Sequence, residues 1–151
     1  MSAMEDPNLN PFPPPPQESP RQRTLLYVED NLANMDLVKQ LILRRGELKF
    51  LTAIDGDLGM LMARTYVPAV ILMDINLPGK SGFEVLKLLR EDSLTAHIPV
   101  IALSSNAYQR DIEMGLKAGF LRYITKPYKL DELLDALDAA LSFIPKSQHV
   151  K

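Results

Sequence analysis

The stretch VILMDINLPGKSG, from Val70 to Gly82, carries the strongest signal of the fold. Four apolar residues run directly into the carboxylate of Asp74, and a Pro-Gly turn follows. An uninterrupted apolar run is typical of a strand buried on both faces of a parallel sheet. A charge at the tip adds nothing to the burial of such a strand. Asp74 therefore either caps the turn that follows or belongs to a functional site.

Strand-like and helix-like segments alternate on both sides of this stretch. Strands are predicted at 25–28, 48–54, 69–73, 99–103 and 120–124. An amphipathic helical segment follows each of them. The first of these helices ends before Gly46, and the others are predicted at 55–66, 81–91, 106–118 and 130–143. This alternation predicts an α/β fold, a doubly wound parallel sheet with helices on both faces. The run at 48–54 alternates and carries Lys49, so it predicts an edge strand. The pattern fits a flavodoxin-like (βα)5 sheet with strand order 2-1-3-4-5.

The chain divides into a proline-rich start, one domain and a short end. Residues 1–23 hold seven of the twelve prolines. This composition predicts a flexible tail or linker, because it buries too little apolar surface to offset the cost of ordering. Its PFPPPP run could instead be a ligand for an aromatic groove. Residues 24–143 are the predicted domain, and 144–151 a C-terminal tail.

The composition excludes several classes of protein. A net charge of −2 and a pI near 5.7 argue against a nucleic-acid surface. No apolar run approaches the ~20 residues of a membrane span, and no secretion signal precedes the domain. The absence of cysteine excludes disulfides and thiol catalysis. We expect a cytoplasmic protein.

Polar side chains end four of the five predicted strands. They are Glu29 and Asp30 after the first, Asp74 after the third, Ser104 and Ser105 after the fourth, and Thr125 and Lys126 after the fifth. In the order 2-1-3-4-5 these four strands are consecutive neighbours, ~4.8 Å apart. Because ligands of such sheets bind outside the carboxyl ends of the strands, we expect these side chains to share one pocket.

The chemistry of this pocket points to phosphoryl transfer. Three clustered carboxylates repel one another, and both Lys126 and a divalent cation would relieve the repulsion. Oxygen ligands favour Mg²⁺, or Mn²⁺ as a similar hard ion, and Mg²⁺ leaves positions for phosphate oxygens. An Asp can accept a phosphoryl group, and the central position of Asp74 favours it as the nucleophile.

Each residue alone also has a simpler interpretation. Asp30 could cap the first helix, Asp74 could cap a turn, and Ser104 could be a structural hydroxyl. The Lys-Pro pair at 126–127 is a common helix start. The joint occurrence at four strand ends favours the functional site.

These motifs, in this order and spacing, resemble the response-regulator receiver domains of two-component signalling. The resemblance covers about residues 24–143 and rests on YVEDN, ILMDINLPGKSGFEVL, PVIALSSNA and AGFLRYITKPY. The stretches VEDNLANMDLV and LSSNAYQRDIEMGLKAGF are most similar to receivers associated with hybrid sensor histidine kinases.

The resemblance implies an acceptor and a switch. Asp74 matches the phosphoacceptor, Ser104 the hydroxyl that contacts the phosphoryl group, and Lys126 the lysine that pairs with it. Ser104 and Tyr123 match the switch residues. Pro127 matches a proline that follows a cis peptide bond.

It also implies a metal site and tuning positions. Besides the acceptor itself, Asp30 would ligate Mg²⁺ directly, Glu29 through water, and Asn76 through its backbone carbonyl. Asn76, Ser105 and Asn106 would tune the rate. Ser105 stands where receivers usually carry Ala or Gly, so we expect altered rate or donor choice, not lost activity.

Implied partners are a sensor histidine kinase or a histidine phosphotransfer protein, and a downstream protein. Contacts with nucleic acid or membrane are not expected.

Phosphorylation would reshape the face formed by the fourth helix, fifth strand and fifth helix, which could also form a homodimer. Only self-catalysed phosphorylation and dephosphorylation are expected, with no independent substrate turnover. The eight residues after the domain are too few for a DNA-binding output domain, so the chain would be a single-domain regulator or a receiver from a larger protein.

Three other functions are weighed against this one. Haloacid-dehalogenase-type phosphatases require D-x-D at the nucleophile, and Asn76 stands at the second position. A flavodoxin would need a hydroxyl-rich loop where this chain has Glu29 and Asp30. A degenerate receiver that only binds partners remains an alternative, although all the acceptor-site residues are present.

Overall fold

The computed structural model of the protein describes residues 23–43 and 48–142. The strands are β1 (Arg23–Val28), β2 (Leu48–Ala53), β3 (Val70–Asp74), β4 (Val100–Ser104) and β5 (Arg122–Thr125). The helices are α1 (Leu32–Leu43), α2 (Gly56–Tyr66), α3 (Gly82–Glu91), α4 (Gln109–Ala118) and α5 (Leu130–Leu141). The predicted alternation of strands and helices is confirmed.

The predicted boundaries of the domain and its tails stay predictions. Residues 1–22 of the predicted tail, the predicted helix end before Gly46, and residues 143–151 lie outside the described residues. Arg23 was assigned to the tail but belongs to β1, where it pairs with Leu48. Its guanidinium also donates to the carbonyl of Leu141 at 2.9 Å, so a contact distant in sequence extends the strand.

The five strands form one parallel sheet in the order β2-β1-β3-β4-β5. The predicted order and the edge position of the second strand are therefore confirmed. Asp74 pairs with Leu103, the neighbour of Ser104, and Ser104 pairs with Thr125, the neighbour of Lys126. This register brings the tips of β3, β4 and β5 to the same level at one edge of the sheet.

Helices cover both faces of the sheet, as doubly wound sheets require. One core contains the buried face of α1 (Met35, Val38, Ile42) and of α5. The other contains Ala63 of α2 and Leu86 of α3. The central strands β3 and β4 are buried along their whole length, which explains their uninterrupted apolar sequence.

The fourth helix begins later than the sequence pattern predicts. It starts at Gln109 and not at Asn106. The hydroxyl of Ser104 accepts from the backbone N–H of Asn106 at 3.0 Å, and the side chain of Asn106 accepts from the N–H of Tyr108 at 3.1 Å. These local bonds satisfy the backbone in a turn and compete with the helix.

No helix in the described part of the chain is long and apolar enough to cross a membrane.

Candidate functional site

Three acidic side chains meet at the carboxyl edge of the sheet. Glu29 and Asp30 follow β1, and Asp74 ends β3, the strand beside it. Each residue offers one carboxylate oxygen, and these three oxygens all lie within 4.8 Å of one another. The structure thus brings together the three acids that the sequence predicted to be neighbours.

Asp74 is held at the centre of the group. It is only 4% exposed. The backbone N–H of Asn76 donates to its Oδ1 at 3.0 Å, and the ammonium of Lys126 donates to its Oδ2 at 3.4 Å. Each carboxylate oxygen therefore has a donor, and the carboxylate is oriented before any ligand arrives.

Glu29 is more deeply enclosed than Asp74, at 1% exposed. Its Oε1 accepts from the hydroxyl of Tyr27 at 3.0 Å and from Lys126 at 3.3 Å, and its Oε2 accepts from the N–H of Asn31 at 3.2 Å. These donors compensate for part of the cost of burying the carboxylate. Asp30 is exposed by contrast, so the acidic group has one member open to solvent.

Tyr27 was given no role in the sequence analysis. It is fully buried and supports Glu29 from β1. The signal was present, because residues two apart on a strand point to the same face. A tyrosine two residues before a glutamate at the end of an apolar strand therefore places both side chains on one face, where they can pair.

The electrostatics of the pocket follow from burial and crowding. Burial and then the neighbouring Asp74 raise the pKa of Glu29, while Lys126 and the hydroxyl of Tyr27 oppose the rise. Burial by itself would lower the pKa of Lys126, but Asp74 and Glu29 outweigh it and raise the pKa. Lys126 therefore stays charged between the two buried carboxylates.

The donor set fits a hard divalent cation. Glu29, Asp30 and Asp74 together carry two more negative charges than Lys126 can offset. Carboxylate oxygens are the ligands that Mg²⁺ prefers, usually one or two of them with water completing the shell. The exposed Asp30 and the buried Asp74 could supply those two.

The tip of β4 forms the other side of the pocket. Ser104 is buried, and its hydroxyl accepts from the N–H of Asn106. The backbone N–H of Lys126 donates to the carbonyl of Ser104 at 2.7 Å, which joins the ends of β4 and β5. Ser105 and Asn106 are exposed, and with Asn76 they line an open depression beside the site.

Two further predicted residues lie on β5 and just after it. Tyr123 is not part of the acidic cluster; its half-buried ring reaches the loop after β4, where the hydroxyl donates to the carbonyl of Asn106 at 3.5 Å. The peptide bond between Lys126 and Pro127 is cis.

Comparison with known proteins agrees with this architecture. The family described as "Response regulator receiver domain" matches residues 25–138. The polar-differentiation response regulator DivK of Brucella anthropi is 37% identical over 119 residues, which are 79% of this chain and 96% of DivK.

Two solved structures are also similar. One is the receiver domain of the sensor histidine kinase PA1611 from Pseudomonas aeruginosa, with a magnesium ion coordinated in its active-site cleft; it is 31% identical, with a TM-score of 0.72, over 80% of this chain and 98% of that one. The other is the chemotaxis response regulator CheY4 of Vibrio cholerae, 26% identical with a TM-score of 0.72, over 80% and 99%. The family match covers most of the chain, and the relatives align along nearly their whole length. This chain therefore belongs to the response regulator receiver domains of two-component signalling.

Proposed function

We propose that Asp74 accepts a phosphoryl group from a phosphohistidine donor. The observation that carries this proposal is the environment of Asp74: a buried carboxylate at a strand tip, beside a second buried acid and an exposed acid, with the ammonium of Lys126 bridging the two buried carboxylates. Nucleophilic carboxylates that form aspartyl-phosphates need this kind of fixed, charge-compensated setting.

In the proposed reaction an oxygen of Asp74 attacks phosphorus in line with the bond to the donor nitrogen. A P–O bond forms as the P–N bond breaks, and the electron pair stays on the imidazole. Lys126 is already 3.4 Å from Asp74, so its ammonium can pair with a phosphoryl oxygen without a large movement. The hydroxyl of Ser104 contacts another oxygen of the transferred group.

Asp30, Asp74 and the backbone carbonyl of Asn76 would hold Mg²⁺ directly, and Glu29 through water. When bound, the ion supplies positive charge for the phosphoryl oxygens. A similar arrangement is supported by the receiver of PA1611, whose cleft coordinates magnesium. Mn²⁺ would serve as an equivalent hard ion.

The donor is a sensor histidine kinase or a histidine phosphotransfer protein. Membership of the receiver family and the similarity to the receiver of a sensor histidine kinase support this assignment. The similarity to DivK and CheY4, which are both response regulators, supports a role in signalling. Ser104 and Tyr123 then act as the switch, and the face of α4, β5 and α5 contacts the downstream protein or a second copy of the chain.

The exposed tuning positions act on the lifetime of the acyl phosphate. Asn76, Ser105 and Asn106 line the open depression beside Asp74, which gives water a route to the phosphoryl group. Polar side chains there set how well an attacking water is held.

The first test is intact mass after incubation with acetyl phosphate, with and without Mg²⁺. Wild type should gain one phosphoryl group only with Mg²⁺, and Asp74→Asn should gain none. Asp135→Asn, an exposed acid on α5, is the matched control and should label like wild type. Labelling of Asp74→Asn at the wild-type rate would overturn the assignment.

A second arm replaces acetyl phosphate with a phosphorylated histidine phosphotransfer domain. Transfer from this donor to wild type, without transfer to Asp74→Asn, supports the relay. If neither donor labels wild type, the chain is the binding-only receiver that the sequence left as an alternative.

A further inference from the structure

The helix α4 is held to the sheet by very little side-chain burial. Gly115 is the buried residue of this helix. Its sequence neighbours Met114 and Leu116 are about half exposed. A glycine is the poorest helix former after proline, so its presence in the middle of α4 calls for a packing reason.

The packing reason is the ring of Tyr123. A Cβ atom at position 115 would lie 2.5 Å from Cδ2 and 2.8 Å from Cε2 of that ring. Real Cβ atoms do not approach this closely, so any side chain at 115 must displace the ring or the helix. The edge of the Tyr123 ring occupies the space that every other residue would fill.

The same ring is connected to the phosphoryl site through the loop after β4. The hydroxyl of Tyr123 donates to the carbonyl of Asn106 at 3.5 Å. The N–H of Asn106 donates to the hydroxyl of the buried Ser104 at 3.0 Å. Asn106 therefore accepts a hydrogen bond from Tyr123 on its carbonyl and donates one to Ser104 from its N–H.

We propose that Gly115 is a positioning residue for the phosphoryl-transfer site. By having no side chain it lets the ring of Tyr123 lie against α4, where the hydroxyl reaches Asn106, and Asn106 in turn orients Ser104. This inference rests on the proposed function of Asp74, because the orientation of Ser104 matters only if a phosphoryl group arrives there.

The consequence is that alanine at 115 acts through Tyr123 and not through the helix alone. With the ring in place, the added methyl group expels it and releases the loop. With the ring removed, the same methyl group meets no obstacle and alanine improves the helix. The substitution should therefore have opposite effects on stability in the two backgrounds, which is the signature of a direct interaction.

The experiment uses four proteins: wild type, Gly115→Ala, Tyr123→Ala and the double variant. Gly115→Ala should lower Tm in the wild-type background and raise it in the Tyr123→Ala background. Lys117→Ala, an exposed position of the same helix, is the matched control and should leave Tm nearly unchanged in both. Equal loss of Tm on Gly115→Ala in both backgrounds would overturn the proposal, as would failure of the double variant to fold.

A spectroscopic readout reports the ring itself. The chain is labelled with 3-fluorotyrosine, and Tyr123→Phe assigns the ¹⁹F resonance of Tyr123. Gly115→Ala should move this resonance towards the solvent-exposed position, and Lys117→Ala should not. An unmoved resonance in Gly115→Ala would contradict the proposal.

The third measurement is the rate of labelling by acetyl phosphate. Gly115→Ala should label at least threefold more slowly than Lys117→Ala, and the double variant should label at the rate of Tyr123→Ala. The Tm and ¹⁹F measurements need no phosphodonor. If they succeed while wild type does not label, the proposed function fails and the packing role stands; if wild type labels and the ring does not move, the positioning role fails alone.

Discussion

The helices α3 and α4 follow neighbouring strands but are anchored very differently. α3 begins eight residues after Asp74 and buries Gly82, Val85, Leu86 and Leu89. Its N-terminus carries a capping box, in which Ser81 and Glu84 each accept from the backbone N–H of the other. α4 follows Ser104, buries Gly115, and its N-cap residue Tyr108 makes no side-chain capping bond.

This contrast implies that the two sides of the site differ in local stability, the side of β3 and α3 being more stable than the side of β4 and α4. Elements with few buried apolar contacts open at the lowest free-energy cost. The strand tip that carries Asp74 is backed by a helix that is firmly held. The tip that carries Ser104 leads into a helix whose one buried residue is a glycine. The proposed switch would use this combination, because Asp74, the proposed acceptor, would stay in place while a neighbouring surface moves.

The largest expected effect comes from one substitution made in both helices. Leu86→Ala in α3 removes a side chain that is 1% exposed and should lower the free energy of unfolding by about 2–5 kcal/mol. Leu116→Ala in α4 removes one that is 47% exposed and should cost about 1 kcal/mol or less. Urea unfolding of both variants measures the difference. Equal losses would break the contrast between the helices.

A smaller effect is expected where α3 touches the end of β3. A Cβ atom at Gly82 would lie 2.8 Å from the carbonyl oxygen of Asp74 and 2.9 Å from the Cα of Ile75. Backbone atoms cannot move away by a change of rotamer as a side chain can. Overpacking by Gly82→Ala should therefore lower the free energy of unfolding by about 1–3 kcal/mol. It should also slow the labelling of Asp74 by acetyl phosphate. Unchanged stability together with wild-type labelling would show that the start of α3 does not position the acceptor.

The smallest effects concern the helix caps and have opposite signs. Ser81→Ala removes the capping box of α3 and should cost about 1 kcal/mol. Tyr108→Ser adds a capping hydroxyl to α4 at an exposed position and should stabilise the protein by about 0.5–1 kcal/mol. Urea unfolding and amide exchange along α4 measure both. A destabilising Tyr108→Ser would mean that the tyrosine ring holds α4 in some other way.

Much of the fold was readable from the sequence because hydrophobic pattern and strand burial are linked directly. The apolar runs ending at Met73 and Leu103 predicted central strands, and alternation with Lys49 predicted the edge. Both are confirmed by the sheet order. The start of α4 was misplaced, because the side chains of Ser104 and Asn106 satisfy the backbone before the helix begins.

The site was readable in its residue types and less so in its contacts. The three acids are neighbours as the pattern indicated, since parallel strands present their carboxyl ends at one edge. The support that Tyr27 gives Glu29 was missed although Tyr27 lies on β1 and Glu29 directly follows that strand. The roles of the individual residues in phosphoryl transfer and metal binding stay predictions for the labelling experiments.

Chain chemistry alone specified which elements form, which strands are buried, and which polar groups stand at the strand tips, because these depend on residue type and on short-range periodicity. Tertiary packing determined which donor contacts each carboxylate oxygen of Asp74. It also determined how little of α4 is buried against the rest of the domain. The same packing placed the ring of Tyr123 where a Cβ atom at position 115 would lie. Those features are distances between residues far apart in the chain, and a distance of a few tenths of an ångström separates a contact from a clash.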